Sequence, residues 1–169
     1  MPKEEFADAI SLLKADHRAV AELFESFESA SSQSRRKIAE KICNELKIHT
    51  MIEEEIFYPS LKGKVDKDDL DEAYVEHDAA KVMVNDILAG GPDDEFYNAK
   101  VKVLSEEITH HVKEEERPGE GLFALARASG VDLVALRDAM LTRKTALELQ
   151  ASRGDLPVAE LTALKQTPA

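Results

Sequence analysis

The chain has 169 residues, long enough to close one core and too short for two comfortable domains. Its 34 acidic and 22 basic residues leave a net charge of −12, which phosphate backbones and anionic lipid repel, so neither nucleic acid nor a membrane is an expected partner. A single cysteine, Cys43, excludes an internal disulfide framework, no apolar run approaches a membrane span, and the first residues carry no secretory signal, so the expected compartment is the cytoplasm.

Breakers divide the chain into four segments of helical period: Ser31, Ser32 and Ser34, then Gly63, then Gly90-Gly91-Pro92, then Pro118, Gly119 and Gly121. The first predicted helix, residues 3–30, carries Phe6, Ile10, Leu13, His17, Val20, Phe24 and Phe27 on one stripe. The second, 34–61, places Ile38, Ile42, Leu46, His49, Glu53 and Ile56 or Phe57 on its stripe. Asp66 is a cap candidate for the third, 67–89, which shows Leu70, Tyr74, His77, Val84 and Leu88. The fourth, 93–116, shows Val101, Leu104, Ile108, His111 and Glu115.

Short connections between long helices favour antiparallel neighbours, which predicts an all-α, up-down-up-down four-helix bundle over residues 1–125. Ile42, Leu46, His49 and Glu53 repeat in spacing and type as Leu104, Ile108, His111 and Glu115, 62 residues on, so the two hairpins resemble each other. Beyond the bundle, residues 126–169 are expected to form a C-terminal helical extension, with helices over 131–152 and a last piece over 155–165. That extension would pack on the bundle or make a homo-oligomer with a second copy.

Four of the five histidines, His17, His49, His77 and His111, take stripe positions where Leu or Ile would be expected. Glu53 and Glu115 follow His49 and His111 by one turn, which puts imidazole and carboxylate on one face about 5–6 Å apart at Cβ. An unpaired buried carboxylate costs several kcal/mol, so something must compensate. Taken singly, each His reads as a satisfied core residue. Taken together, one His from each helix and two carboxylates suit a pair of metal ions, each His ligating one ion and each Glu bridging both. Nitrogen and oxygen donors favour iron or manganese, with zinc a substitute, and one thiol cannot hold an iron–sulfur cluster. A ferritin-like carboxylate bundle needs two Glu-x-x-His pairs, and Glu107–His110 supplies the only one.

These residues resemble a known family. Asp16-His17, His49-Thr-Met-Ile-Glu53-Glu54 followed by Phe57-Tyr58-Pro59, Glu76-His77, and His110-His111-Val-Lys-Glu-Glu115-Glu116 are similar to the hemerythrin-like, HHE cation-binding domain, over about residues 5–125. The resemblance implies a non-haem di-iron centre, two ions per chain, with His17, His49, His77 and His111 as ligands and Glu53 and Glu115 as bridges. It implies a small diatomic ligand or peroxide as partner: O2, NO or peroxide bound for sensing, scavenging or storage. An enzyme consuming peroxide or NO with the same irons is the second reading, and a metal-free structural bundle the third.

Two points stay open in the sequence. A fifth ligating His, one turn from His77, is absent, since Ala73 and Lys81 stand there, and water, Tyr74 or Glu54 would complete the shell. His110 and Glu114 have the same spacing as His111 and Glu115; Leu104 and Ile108 lead into His111, whereas the stripe through His110 is more charged.

Overall fold

Side chains set the helix starts. The computed structural model describes residues 5–165, so residues 3–4 of the first predicted helix and 166–169 of the extension lie outside the described residues. Asp8 accepts the N–H of Ser11 and opens α1 (Ala9–Ser29), and Ser31 accepts that of Ser34 and opens α2 (Ser32–Ile52). Such caps satisfy N–H groups that the first turn leaves without a carbonyl. Asp66 caps α4 (Lys67–Gly90) as expected, accepting from Asp68 N–H.

Three boundaries differ from the sequence reading. The first helix starts at Ala9 rather than at residue 3, because Asp8 caps it. The second helix does not run regularly to residue 61: after Ile52 comes a π-helical turn (Glu53–Phe57), in which Tyr58 N–H bonds the Glu53 carbonyl, and then α3 (Tyr58–Leu61). Pro59 follows directly and has no N–H to offer the Glu55 carbonyl, so the α-helical ladder is interrupted there in any case. The fourth bundle helix, α5 (Tyr97–Glu115), starts later than residue 93, because the Asp94 side chain accepts Phe96 N–H and pairs with Lys100, folding residues 93–96 into a turn.

The fold is an all-α bundle with additional C-terminal helices; no strand occurs among the described residues. Around the bundle α1 packs on α2, α2 on α4, α4 on α5 and α5 on α1. Two apolar clusters fill it. One holds Leu12, Leu13, Ile52, Phe57, Leu61, Leu70 and Phe123, the other Val20, Phe24, Ile42, Leu46, Val84, Ile87 and Leu104. On α1, α2 and α4 the inward His falls between residues of the first cluster and residues of the second, and on α5 His111 follows Leu104 of the second, so apolar residues flank a polar layer.

After a tight corner, α6 (Leu122–Ser129) closes one end. Gly121 makes that corner possible: a Cβ there would meet the carbonyl oxygens of Glu115 and Glu114 at 2.4 and 2.5 Å. Then α7 (Leu133–Ser152) lies along α1 and α2 of its own chain and buries Met140 and Leu147. This packing also buries Leu12 and Asp16, which lie off the expected α1 stripe.

The helical piece expected over 155–165 does not form. Residues 157–164 instead run as an extended strap against α4. Asp78, fully buried, accepts the backbone N–H groups of Thr162, Ala163 and Leu164, and Asn85 exchanges two hydrogen bonds with the backbone of Ala159. N–H groups held by side chains of α4 are not free to make a helix of their own. No helix among the described residues is long and apolar enough to cross a membrane.

Candidate metal centre

All six inward polar residues meet in this layer. His17, His49, His77 and His111 are 8, 6, 3 and 6% exposed, and Glu53 and Glu115 are 0 and 2%. The rings fall into two pairs: His17 and His49 lie 4.9 Å apart by centroid, His77 and His111 4.7 Å. Each carboxylate reaches across both pairs. Glu53 Oε1 is 2.5 Å from His49 Nε2 and 3.6 Å from His77 Nε2. Glu115 Oε1 is 3.2 Å from His17 Nε2, and its Oε2 is 3.5 Å from His111 Nε2.

These atoms are close but poorly aligned with one another. His17 Nε2, His49 Nε2, both oxygens of Glu53 and Oε1 of Glu115 are buried without a hydrogen bond. Each such atom costs about 1–3 kcal/mol or more in a folded interior, unless it serves something else. Two overlapping sets could each hold an ion: His17, His49, Glu53 and Glu115, and Glu53, His77 and His111. Glu53 belongs to both. Cation binding is the chemistry that this donor set fits.

The other nitrogen of each imidazole is held by a carboxylate from a neighbouring helix. Asp16 on α1 holds His49 Nδ1 (3.1 Å) and Glu54, after α2, holds His77 Nδ1 (2.8 Å). Glu76 on α4 holds His111 Nδ1 (2.8 Å), and Glu116, at the end of α5, holds His17 Nδ1 (2.6 Å). The ring closes, each helix orienting the histidine of the next. Nδ1–H donated to a carboxylate fixes the tautomer, frees Nε2 for a metal and raises its basicity.

Helix phase does not reveal this ring. Each of the four carboxylates sits one residue from a stripe position, about 100° away, and of the four the sequence reading gives a role only to Glu54, as a direct filler of the shell. Glu54 instead also binds Lys81 Nζ (3.0 Å). Tyr74, the other expected filler, packs edge-on against Tyr58. The hydroxyl that does reach the layer is that of Tyr58, which donates to Glu115 Oε2 (2.6 Å) and lies 3.2 Å from His77 Nε2. The π-helical turn sets Tyr58, five residues on, over Glu53, a register that a steady 3.6-residue period misses. The sequence signal was Pro59.

His111 is the doublet member inside the layer. The side chain of His110 is 63% exposed and pairs with Glu76 Oε2 outside it (3.1 Å). Cys43 lies in the second apolar cluster, where burial pushes its thiol up to about 12, so it supplies no thiolate.

The charges of the layer depend on one another. Burial works against protonated His111, but Glu115 and Glu76 outweigh it and raise the imidazole to about 10. His49 is raised well above its usual value against the same burial, by Glu53 and Asp16, and His17 is raised by Glu115 and Glu116. Burial would lift Glu115, yet His111 and His17 hold it well below the usual carboxylate range. Imidazolium stability is present in full below the unfolded value near 6.5 and is lost as pH climbs through about 10. The metal-free protein should therefore lose stability between pH 6.5 and 10, as read by urea midpoints. Metal binding at pH 7 should release at least about one proton per chain, because the nitrogens must shed protons to ligate. A flat urea profile together with no proton release would contradict this electrostatic account.

Residues 8–123 match the Hemerythrin HHE cation binding domain family, and the chain belongs to it. Membership makes it a cation-binding helical bundle, in keeping with the two donor sets. The chain is also 29% identical over 119 residues to a protein of Nostoc sp. (strain PCC 7120) named DNA nickase; the match covers 69% of this chain and 32% of that protein. The chain thus spans about a third of the length of the curated relative it matches. No solved structure matches.

Proposed function

We propose that the protein is a non-haem di-iron protein that binds O2, NO or peroxide to sense or scavenge it. The observation that carries this is the pairing of four Nε2 atoms around Glu53, common to both donor sets, and Glu115, which lies near both His17 and His111, with every Nδ1 already committed. His17 and His49 would hold one ion, His77 and His111 the other, and Glu53 and Glu115 would bridge them. Iron suits the nitrogen and oxygen donors, and manganese or zinc would be substitutes. When bound, the irons supply electrons and open coordination positions for a small oxidant.

The residues of the chain do the rest. Phe57, Phe123 and Leu13, each at most 3% exposed, exclude water on one side of the layer, and Leu46 and Leu104 do so on the other. Tyr58, whose phenol is pushed well above its usual value by burial and by Glu115 and Glu53, keeps its proton. It holds that proton on Glu115 Oε2, beside His77 Nε2. A pocket of about 400 Å³, lined by Glu76, His111, Glu114, Glu115 and Arg117, opens the layer to solvent.

The nicking activity in the relative's name does not transfer by this match. The likeness covers a third of that protein, and a net charge of −12 opposes contact with DNA phosphates.

The test loads the protein with ferrous iron without air and adds O2, NO and peroxide in turn, following the visible spectrum. The expected result is a change stoichiometric with iron pairs for at least one of them. Sustained consumption over many equivalents would move the reading to an enzyme. No change with any of the three would reject it.

A further inference from the structure

A second cavity, of about 510 Å³, lies between the strap and the bundle, away from the inward nitrogens. That volume is in the range of small-molecule sites, about 300–1,000 Å³. Its walls are chiefly apolar, from Met51, Tyr74, Pro157, Val158 and Ala159. The outer wall is firmly attached: besides the three N–H groups on Asp78 and the Asn85 pair, Lys81 Nζ donates to the Glu160 carbonyl (2.9 Å).

Of the charged side chains around it, Lys47 and Glu160 have no ion pair among the described residues, and the others are spoken for. Glu54 is bound by Lys81 and His77, and Glu55 is gripped by Arg143 at 2.8 and 3.2 Å. Lys81 is taken by Glu54 and Asp78. Lys47 lines the cavity, is 7% exposed, and has no carboxylate partner among the described residues. With no carboxylate beside it, its ammonium can take an incoming anion by a charge-assisted hydrogen bond.

We infer that this cavity binds a small organic monocarboxylate, its carboxylate on Lys47 Nζ and its apolar body against Met51, Tyr74 and Val158. A single negative charge fits best, because Glu54, Glu55 and Glu160 also line the cavity and would repel a dianionic phosphate. The bound molecule would lie beside Thr162, whose hydroxyl donates to Glu54 Oε1 (2.5 Å), while Glu54 Oε2 holds His77 Nδ1.

Calorimetry on the whole chain, metal-free and zinc-loaded, with octanoate, octanol and octyl phosphate as probes tests this without reference to oxygen chemistry. Octanoate should bind one per chain and at least about tenfold more tightly than either other probe, a difference of one charge pair worth about 1.4 kcal/mol. Lys47→Met removes the positive charge and keeps an unbranched side chain of similar length; it should weaken octanoate about tenfold and leave octanol unchanged. Val158→Asp, at a residue 71% exposed, should also weaken octanoate. Absence of saturable octanoate binding, equal binding by Lys47→Met, or tighter binding of octyl phosphate would each overturn the proposal. The metal-centre reading would survive any of these results, since no probe touches the inward nitrogens.

Discussion

Glu53→Ala should empty the centre of both metal ions, whereas His49→Ala should cost one. Glu53 is the residue common to both donor sets, with Oε1 at 2.5 Å from His49 Nε2 and 3.6 Å from His77 Nε2. Neither of its oxygens has a hydrogen bond in the folded protein, so its carboxylate is free to serve two cations at once. Removing it takes a ligand and a compensating negative charge from each ion, in a layer where charge is poorly screened. Removing one imidazole leaves the other pair and both carboxylates in place. Metal content after purification and reconstitution should fall to well under one ion per chain for Glu53→Ala, from about two in the parent. Circular dichroism would show that the helices persist. Two retained ions in Glu53→Ala would mean that the bridging role is misassigned.

The histidine doublet offers an equally large contrast. His111→Ala should lower metal affinity about 100-fold or more, and His110→Ala by less than about threefold, the usual gap between a ligand and a surface neighbour. His111 is buried, its Nδ1 held by Glu76 and its Nε2 directed at Glu115. His110 touches only the outer oxygen of Glu76. Competition with a coloured zinc chelator gives both affinities on one scale. The opposite ranking would show that α5 is rotated in solution relative to this packing.

Helix phase exposes much of this protein to a reader of its sequence. Every residue of the α1 stripe from Ile10 to Phe27 is buried, since one apolar face repeated over about five turns has a single way to point inward. The same phase turns His49, Glu53, His77, His111 and Glu115 into the layer. What phase cannot show is partnership between helices. Asp16, Glu54, Glu76 and Glu116 lie beside the stripes, and only the assembled ring reveals that each serves the histidine of the next helix. Tyr58 escaped because a local change of helix type shifted its register. The strap escaped for another reason: its backbone is ordered by Asp78 and Asn85, some 80 residues earlier, and no local pattern encodes that.

The extension also reaches the ring itself. Lys144 on α7 binds Asp16 Oδ1 (2.5 Å), while Asp16 Oδ2 holds His49. Thr162 on the strap binds Glu54, which holds His77. Two of the four orienting carboxylates are thus tied down by residues outside the bundle, which gives the C-terminal part a positioning role beyond its apolar burial.

The most direct measurement of the central claim is the number of transition-metal ions per chain, by elemental analysis after anaerobic reconstitution with ferrous iron and removal of excess. Six inward donors in two pairs with two shared carboxylates predict about two irons per chain. Well under one iron per chain, in protein whose helices are intact, would contradict it.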